Sequence, residues 1–174
     1  FDESDKKAID PKLRSSVYGL VAWGADRAAY EKLKRLYKTT RNHEEKLRFL
    51  VALCNTKDQQ LLKETLEFSL TKEIRSQDLV IPITVVANNP YGKSLIWPWM
   101  KENWGSISSK FGIGNPLLNR AIGSLSIVTD PKIGKDIEEF FRKNPIPGTE
   151  RKIAQTLEKI GIYSMLIGRM NKEL

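Results

Sequence analysis

An all-α domain of short stacked helices is predicted for this 174-residue sequence by three observations. Helix-start signals recur along the whole chain, the apolar residues between them repeat at helical spacing, and only one segment reads as a strand, with nothing to pair with. The start signals are pairs of an Asx residue and a proline: Asp10-Pro11, Asn89-Pro90, Asn115-Pro116 and Asp130-Pro131. The Asx oxygen accepts a bond from a free N–H of the first turn, where proline has no N–H to lose. Asp26, Asp58, Ser76 and Thr149 are further candidate caps, and another start falls near His43. About nine helices follow, joined by tight turns.

The stripes support these boundaries. Leu47, Leu50, Val51 and Cys54 stand at i, i+3, i+4 and i+7, which lines one face of a helix, with Glu44, Glu45, Lys46 and Arg48 mainly elsewhere around the axis. Ile153, Leu157, Ile160, Ser164 and Ile167 form a similar stripe near the end of the chain. Residues 79–86, LVIPITVV, are rich in β-branched side chains, but their neighbours are helical, so a buried helix with a proline near its first turns is expected. Residues 105–114, GSISSKFGIG, read as a loop or a broken helix. Nine helices in antiparallel pairs describe an α-solenoid of the HEAT or armadillo type, inferred from the rhythm of caps and stripes because the sequence repeat itself is weak. Residues 1–174 are expected to form one such domain, with residues 1–9 a charged linker or the end of a preceding helix.

Composition narrows the function classes. Apolar residues make up 40% and charged residues 29%, an ordinary globular balance. No apolar run approaches the roughly 20 residues needed to cross a bilayer, and no signal-peptide pattern is present. A chain that starts at Phe1 is expected to be a processed or truncated piece. The net charge is +8, but bases and acids are interleaved, as in residues 41–48 (RNHEEKLR), so solvated helix faces are expected rather than a nucleic-acid surface. The single cysteine, Cys54, cannot form an internal disulfide and is expected as a buried thiol; sparse cysteine suits a cytoplasmic setting.

No catalytic machinery is visible. A catalytic zinc takes about three nitrogen, sulfur or carboxylate ligands, and His43 is the only histidine. It sits in a polar helix start, Asn42-His43-Glu44-Glu45, where capping or exposure is expected. The glycines of residues 110–114 lack the GK[ST] ending of a phosphate loop. Glu138 and Glu139 lie beside bases on an amphipathic helix and read as a solvated face. Trp97, Met100 and Trp104, three and four apart, suit packing between helices, with a stacking platform as the sharper alternative. Arg75 stands at a helix start, where an ion pair with Asp78 is one reading.

These residues carry a resemblance. Ile74-Arg75-Ser76-Gln77-Asp78, Asn88-Asn89-Pro90-Tyr91-Gly92, Trp97 and Lys101-Glu102-Asn103-Trp104 resemble the C-terminal helical domain of gluzincin zinc aminopeptidases. That family includes puromycin-sensitive aminopeptidase, the endoplasmic reticulum aminopeptidases, aminopeptidase N and the tricorn interacting factors. Residues 10–18 (DPKLRSSVY) and 144–151 (NPIPGTER) add to the match, which extends over almost the whole chain. The closing helix departs from it, with Met165-Leu166-Ile167 where the family often has an aromatic residue. The resemblance implies a non-catalytic lid that closes over an upstream catalytic domain, which holds the zinc, and encloses part of a peptide substrate. It makes Arg120, Arg75 and Arg151 candidates for facing that cavity, where a cation suits a peptide carboxylate. The implied partners are the catalytic domain of the same enzyme and the peptide, with no membrane and no nucleic acid. The rival reading is a stand-alone helical scaffold for a protein or nucleic-acid partner.

Overall fold

Ten α-helices and two short 3-10 helices, with no strand, make up the described residues, 9–173, of the computed structural model. The expected linker at residues 1–9 falls almost wholly outside them. In chain order the helices are α1 (Arg14–Trp23), α2 (Arg27–Thr39), α3 (His43–Leu53), α4 (Gln59–Leu70), α5 (Val80–Asn88), α6 (Lys93–Glu102), α7 (Trp104–Phe111), α8 (Pro116–Gly123), α9 (Pro131–Lys143) and α10 (Glu150–Glu173). The 3-10 helices are Ser76–Asp78, before α5, and Ser124–Ile127, after α8.

Side-chain caps mark five of the ten α-helix starts. Asp26, Asn42, Asp58, Asn115 and Asp130 each accept a bond from a backbone N–H of the helix that follows. Other expected caps act differently. Asp10 accepts from Lys12 N in a turn that precedes α1, and Ser76 opens the 3-10 helix without a side-chain cap. Asn89 holds the turn before α6 by accepting from Tyr91 N, while the Thr149 hydroxyl donates back to the Ile146 carbonyl.

α5 is the interior element, packed on α3, α4, α6, α8 and the second 3-10 helix. Its sequence, VIPITVVAN, is apolar nearly all round, which suits a helix covered on several sides. Pro82 falls at its third residue, where no intrahelical N–H bond is lost. Residues 105–114, expected as a loop or a broken helix, take the second form and are mostly helical. Trp104, Ile107 and Phe111 put a buried stripe on α7 at i, i+3 and i+7, and this packing outweighs the Gly and Ser content. The loop is confined to Gly112–Gly114, where both glycines take positive φ, 83° and 78°. This extra helix raises the expected nine to ten.

The apolar side chains form two clusters. One gathers Tyr18, Tyr30, Tyr37, Phe49, Leu53 and Phe68 among α1–α4; the other gathers α5–α10 and includes Trp97, Trp99, Trp104 and Phe141. Trp97, Met100 and Trp104 are all buried, and Trp97 and Trp104 meet Phe140 and Phe141 of α9 edge-on or tilted at 5.1–6.2 Å. Cys54 lies in the second cluster; its thiol donates to the Leu50 carbonyl, and burial pushes its pKa up. Two stripe expectations change. Glu45 lies on the buried side of α3, held by Arg14, Tyr18 and Arg48, and the final stripe ends at Ser164, leaving Ile167 exposed.

A candidate substrate groove

Three helix ends and the turns beside them converge on a surface groove of about 380 Å³, lined by Trp23, Asn55, Thr84, Val85, Asn88, Asn89, Pro90 and Arg120. Trp23 ends α1, Asn55 follows α3, Asn88 ends α5, and Arg120 comes from α8. Asn89 fixes the floor. Its buried amide donates to the carbonyls of Cys54 (3.0 Å) and Thr56 (2.9 Å), while its Oδ1 accepts from Tyr91 N (2.9 Å). One side chain thereby ties the α3–α4 turn to the α5–α6 turn. Gly92 completes that second turn, since a Cβ there would lie 2.6 Å from the Val86 carbonyl oxygen.

The walls combine three chemistries. Trp23 meets Tyr91 edge-on at 5.8 Å, and the Lys57 ammonium lies 4.9 Å from the Trp23 ring centre, forming a half-exposed aromatic edge with a cation on it. Asn55 and Asn88 supply amides, the Asn88 NH₂ already donating to the Thr84 carbonyl at 2.8 Å. Arg120 supplies charge. Leu118, Ala121 and Ile122 bury the opposite side of α8, so the guanidinium stands at the rim, exposed, with no hydrogen bond or ion pair among the described residues. Amides match peptide groups, and a free guanidinium matches a carboxylate.

The other two arginines are not brought to this groove. Arg75 is exposed and lines a separate shallow depression with Thr71, Ser76 and Lys110. It forms no ion pair with Asp78, whose buried carboxylate instead lies 3.9 Å from His43 Nε2. His43 is half-buried and follows the true cap, Asn42. Arg151 is exposed in the first turn of α10. Sequence reading missed Trp23, Lys57 and Asn55, which carry no spacing signal of their own. Asn88 and Tyr91 stood within a motif already singled out.

A metal centre has no ligand set here: among the described residues no three His, Cys, Asp or Glu side chains gather. Also among them, no helix is long and apolar enough to cross a membrane.

Residues 1–162 match the family model described as ERAP1-like C-terminal domain. The chain is 29% identical to Aminopeptidase M1-A of Oryza sativa subsp. japonica over 92% of its length, covering 18% of that protein. It is 30% identical to Aminopeptidase M1 of Arabidopsis thaliana, over 95% of the chain and 19% of the relative. With the Alanine/arginine aminopeptidase of Saccharomyces cerevisiae it shares 27% identity, over 97% and 20% respectively. The chain therefore spans about a fifth of the length of these relatives.

Proposed function

The chain belongs to the ERAP1-like C-terminal domain family, and from that premise we propose that it is the lid and substrate-cavity domain of a zinc-dependent aminopeptidase that trims peptides from the N-terminus. The zinc and the chemistry belong to the upstream part of the parent protein; with His43 as sole histidine, this chain's residues do not fit such a site. Its own work is to bind and orient. The observation that carries the reading is the Arg120 guanidinium, unpaired among the described residues, in a groove with two amides and an aromatic edge. A peptide whose N-terminus lies in the catalytic domain would lay its distal end here, with Arg120 taking the terminal carboxylate. Arg75 and Arg151 are secondary contacts in this reading, reached by longer peptides. The principal helix contacts support one helical-repeat unit, because each joins helices no more than three apart in chain order, as in a solenoid.

In the full-length enzyme, Arg120→Ala should lower kcat/KM about tenfold for short peptides with free C-termini, matching a charge-assisted contact of about 1.5 kcal/mol. Single-residue chromogenic substrates, which do not reach the groove, should be turned over as before. Equal losses on both would indicate damaged folding or closure, and no change on either would remove Arg120 from the site.

A further inference from the structure

The distal half of α10 is a surface that the described residues leave largely uncovered. Ile162, Tyr163, Met165, Leu166, Ile167 and Met170 are each between 40% and 61% exposed. At 100° per residue, Ile162, Leu166 and Met170 form one line, Tyr163 and Ile167 a second, and Met165 lies on another side. The proximal half of the helix behaves differently. There the line continued by Ile162 carries Lys152, Gln155 and Lys159, while Ile153, Thr156, Leu157 and Ile160 face the body. Among the described residues, the last side-chain hydrogen bond from α10 to the body is that of the Ser164 hydroxyl to the Thr129 carbonyl. A helix that lies on a surface keeps its outer line polar; one that is apolar on several sides is made to be covered.

Beside this segment, Pro131, Gly134, Leu157, Ile160 and Met165 line a mainly apolar groove of about 430 Å³ between α9 and α10. Gly134 sets its depth, because a Cβ there would come within 2.9 Å of Ile160 Cγ2. Lys135 and Glu138 also line the groove, so its rim carries both signs of charge and a fitting partner is apolar at its centre and polar at its edge.

We propose that this surface, the distal half of α10 with the groove beside it, is covered by the remainder of the parent aminopeptidase, as an interface within one polypeptide. The inference rests on the functional reading above. It is favoured by the coverage of the relatives: the chain is matched over 92–97% of itself but over only 18–20% of them. A tethered neighbour acts at an effective concentration of roughly millimolar, so it outcompetes a second copy of the chain at ordinary protein concentrations. The interface also gives the lid a fixed base from which the groove can be held toward the catalytic part.

The test uses the full-length parent carrying Leu166→Cys, with maleimide modification at that site followed by mass spectrometry. Native Cys54 is fully buried and does not interfere. Modification should be at least about tenfold slower in the native enzyme than in the denatured one, as for a side chain exposed only by local opening. The rate should stay constant over a roughly hundredfold range of protein concentration, since an intramolecular contact is independent of it. Protection below tenfold, or protection that appears only as concentration rises, overturns the proposal; the latter would assign the surface to a second copy. No substrate enters the measurement, so its failure is separable from a failure of Arg120→Ala to discriminate between peptides.

Discussion

Two carboxylates in this chain do similar jobs in opposite settings. Glu45 of α3 accepts from Arg14 Nη1 (3.1 Å), from the Tyr18 hydroxyl (3.0 Å) and from Arg48. Asp136 of α9 accepts from Trp97 Nε1 (2.8 Å) and Lys101 Nζ (2.7 Å). Each therefore joins two helices through cationic partners and one aromatic donor. The side chain of Glu45 is 8% exposed, whereas that of Asp136 is 45% exposed. Solvent reaches the second cluster and screens it, while the first keeps its charges in a poorly polarisable interior. Burial alone would raise the Glu45 pKa, but the bonds from Arg14, Tyr18 and Arg48 outweigh it and hold the carboxyl below its ordinary value. Asp136 is also lowered, first by the bond from Lys101, though without a burial cost of comparable weight. Similar partners thus give a structural keystone in one place and a surface clip in the other.

The strongest way to break this comparison is Glu45→Ala. It leaves the buried Tyr18 hydroxyl and the Arg14 and Arg48 guanidiniums without their shared acceptor, and should cost about 3–5 kcal/mol in urea unfolding. A loss below about 1 kcal/mol, the range of an exposed pair, would show that the site is wetter than its burial implies.

Acid sharpens the same point. Because the folded Glu45 pKa lies below the ordinary 4.5, its contribution is complete above that value and is lost as pH falls through the lower folded one. Glu45→Gln should flatten that acid limb, as read by unfolding at a series of pH values. At the alkaline end Tyr18 is pushed up to about 12 by burial and by its bond to Glu45. Its protonated form therefore contributes fully below 10 and is lost as pH rises through about 12, an effect that Tyr18→Phe should remove.

Asp136→Asn should move stability by only about 0.2–1 kcal/mol, since it deletes an exposed pair and keeps an acceptor for Trp97. Glu139→Gln, at the exposed pair with Lys143, should leave the unfolding midpoint unchanged.

How much of this was legible beforehand follows from what each residue type signals. Capping pairs and stripes are local, so Asn115-Pro116, Asp130-Pro131 and the buried residues of α5 could be read directly. Local rules left residues 105–111 open between a loop and a broken helix, because the stripe of Trp104, Ile107 and Phe111 gains its worth only from the neighbours it meets. Glu45 was missed for a related reason: a glutamate two residues into a helix looks solvated, and its partners Arg14 and Tyr18 lie 31 and 27 residues away. The family resemblance singled out Arg120, but Trp23 and Asn55 join it only after the chain has folded. Arg75 and Arg151 shared the same chemical argument and were separated by geometry alone.

The Asn89 tie has a consequence for how such a domain can diversify. Its three bonds lock two turns through backbone groups, which are the same whatever side chains those turns carry. The groove is thus a fixed frame with an interchangeable lining. Asn55, Asn88 and Arg120 can be exchanged without touching the bonds that hold the frame, whereas any residue at position 89 that lacks both a donor and an acceptor would loosen it. In the proposed peptide-binding role, selection acting on which peptides are preferred can therefore work on the lining one position at a time, with little penalty in folding.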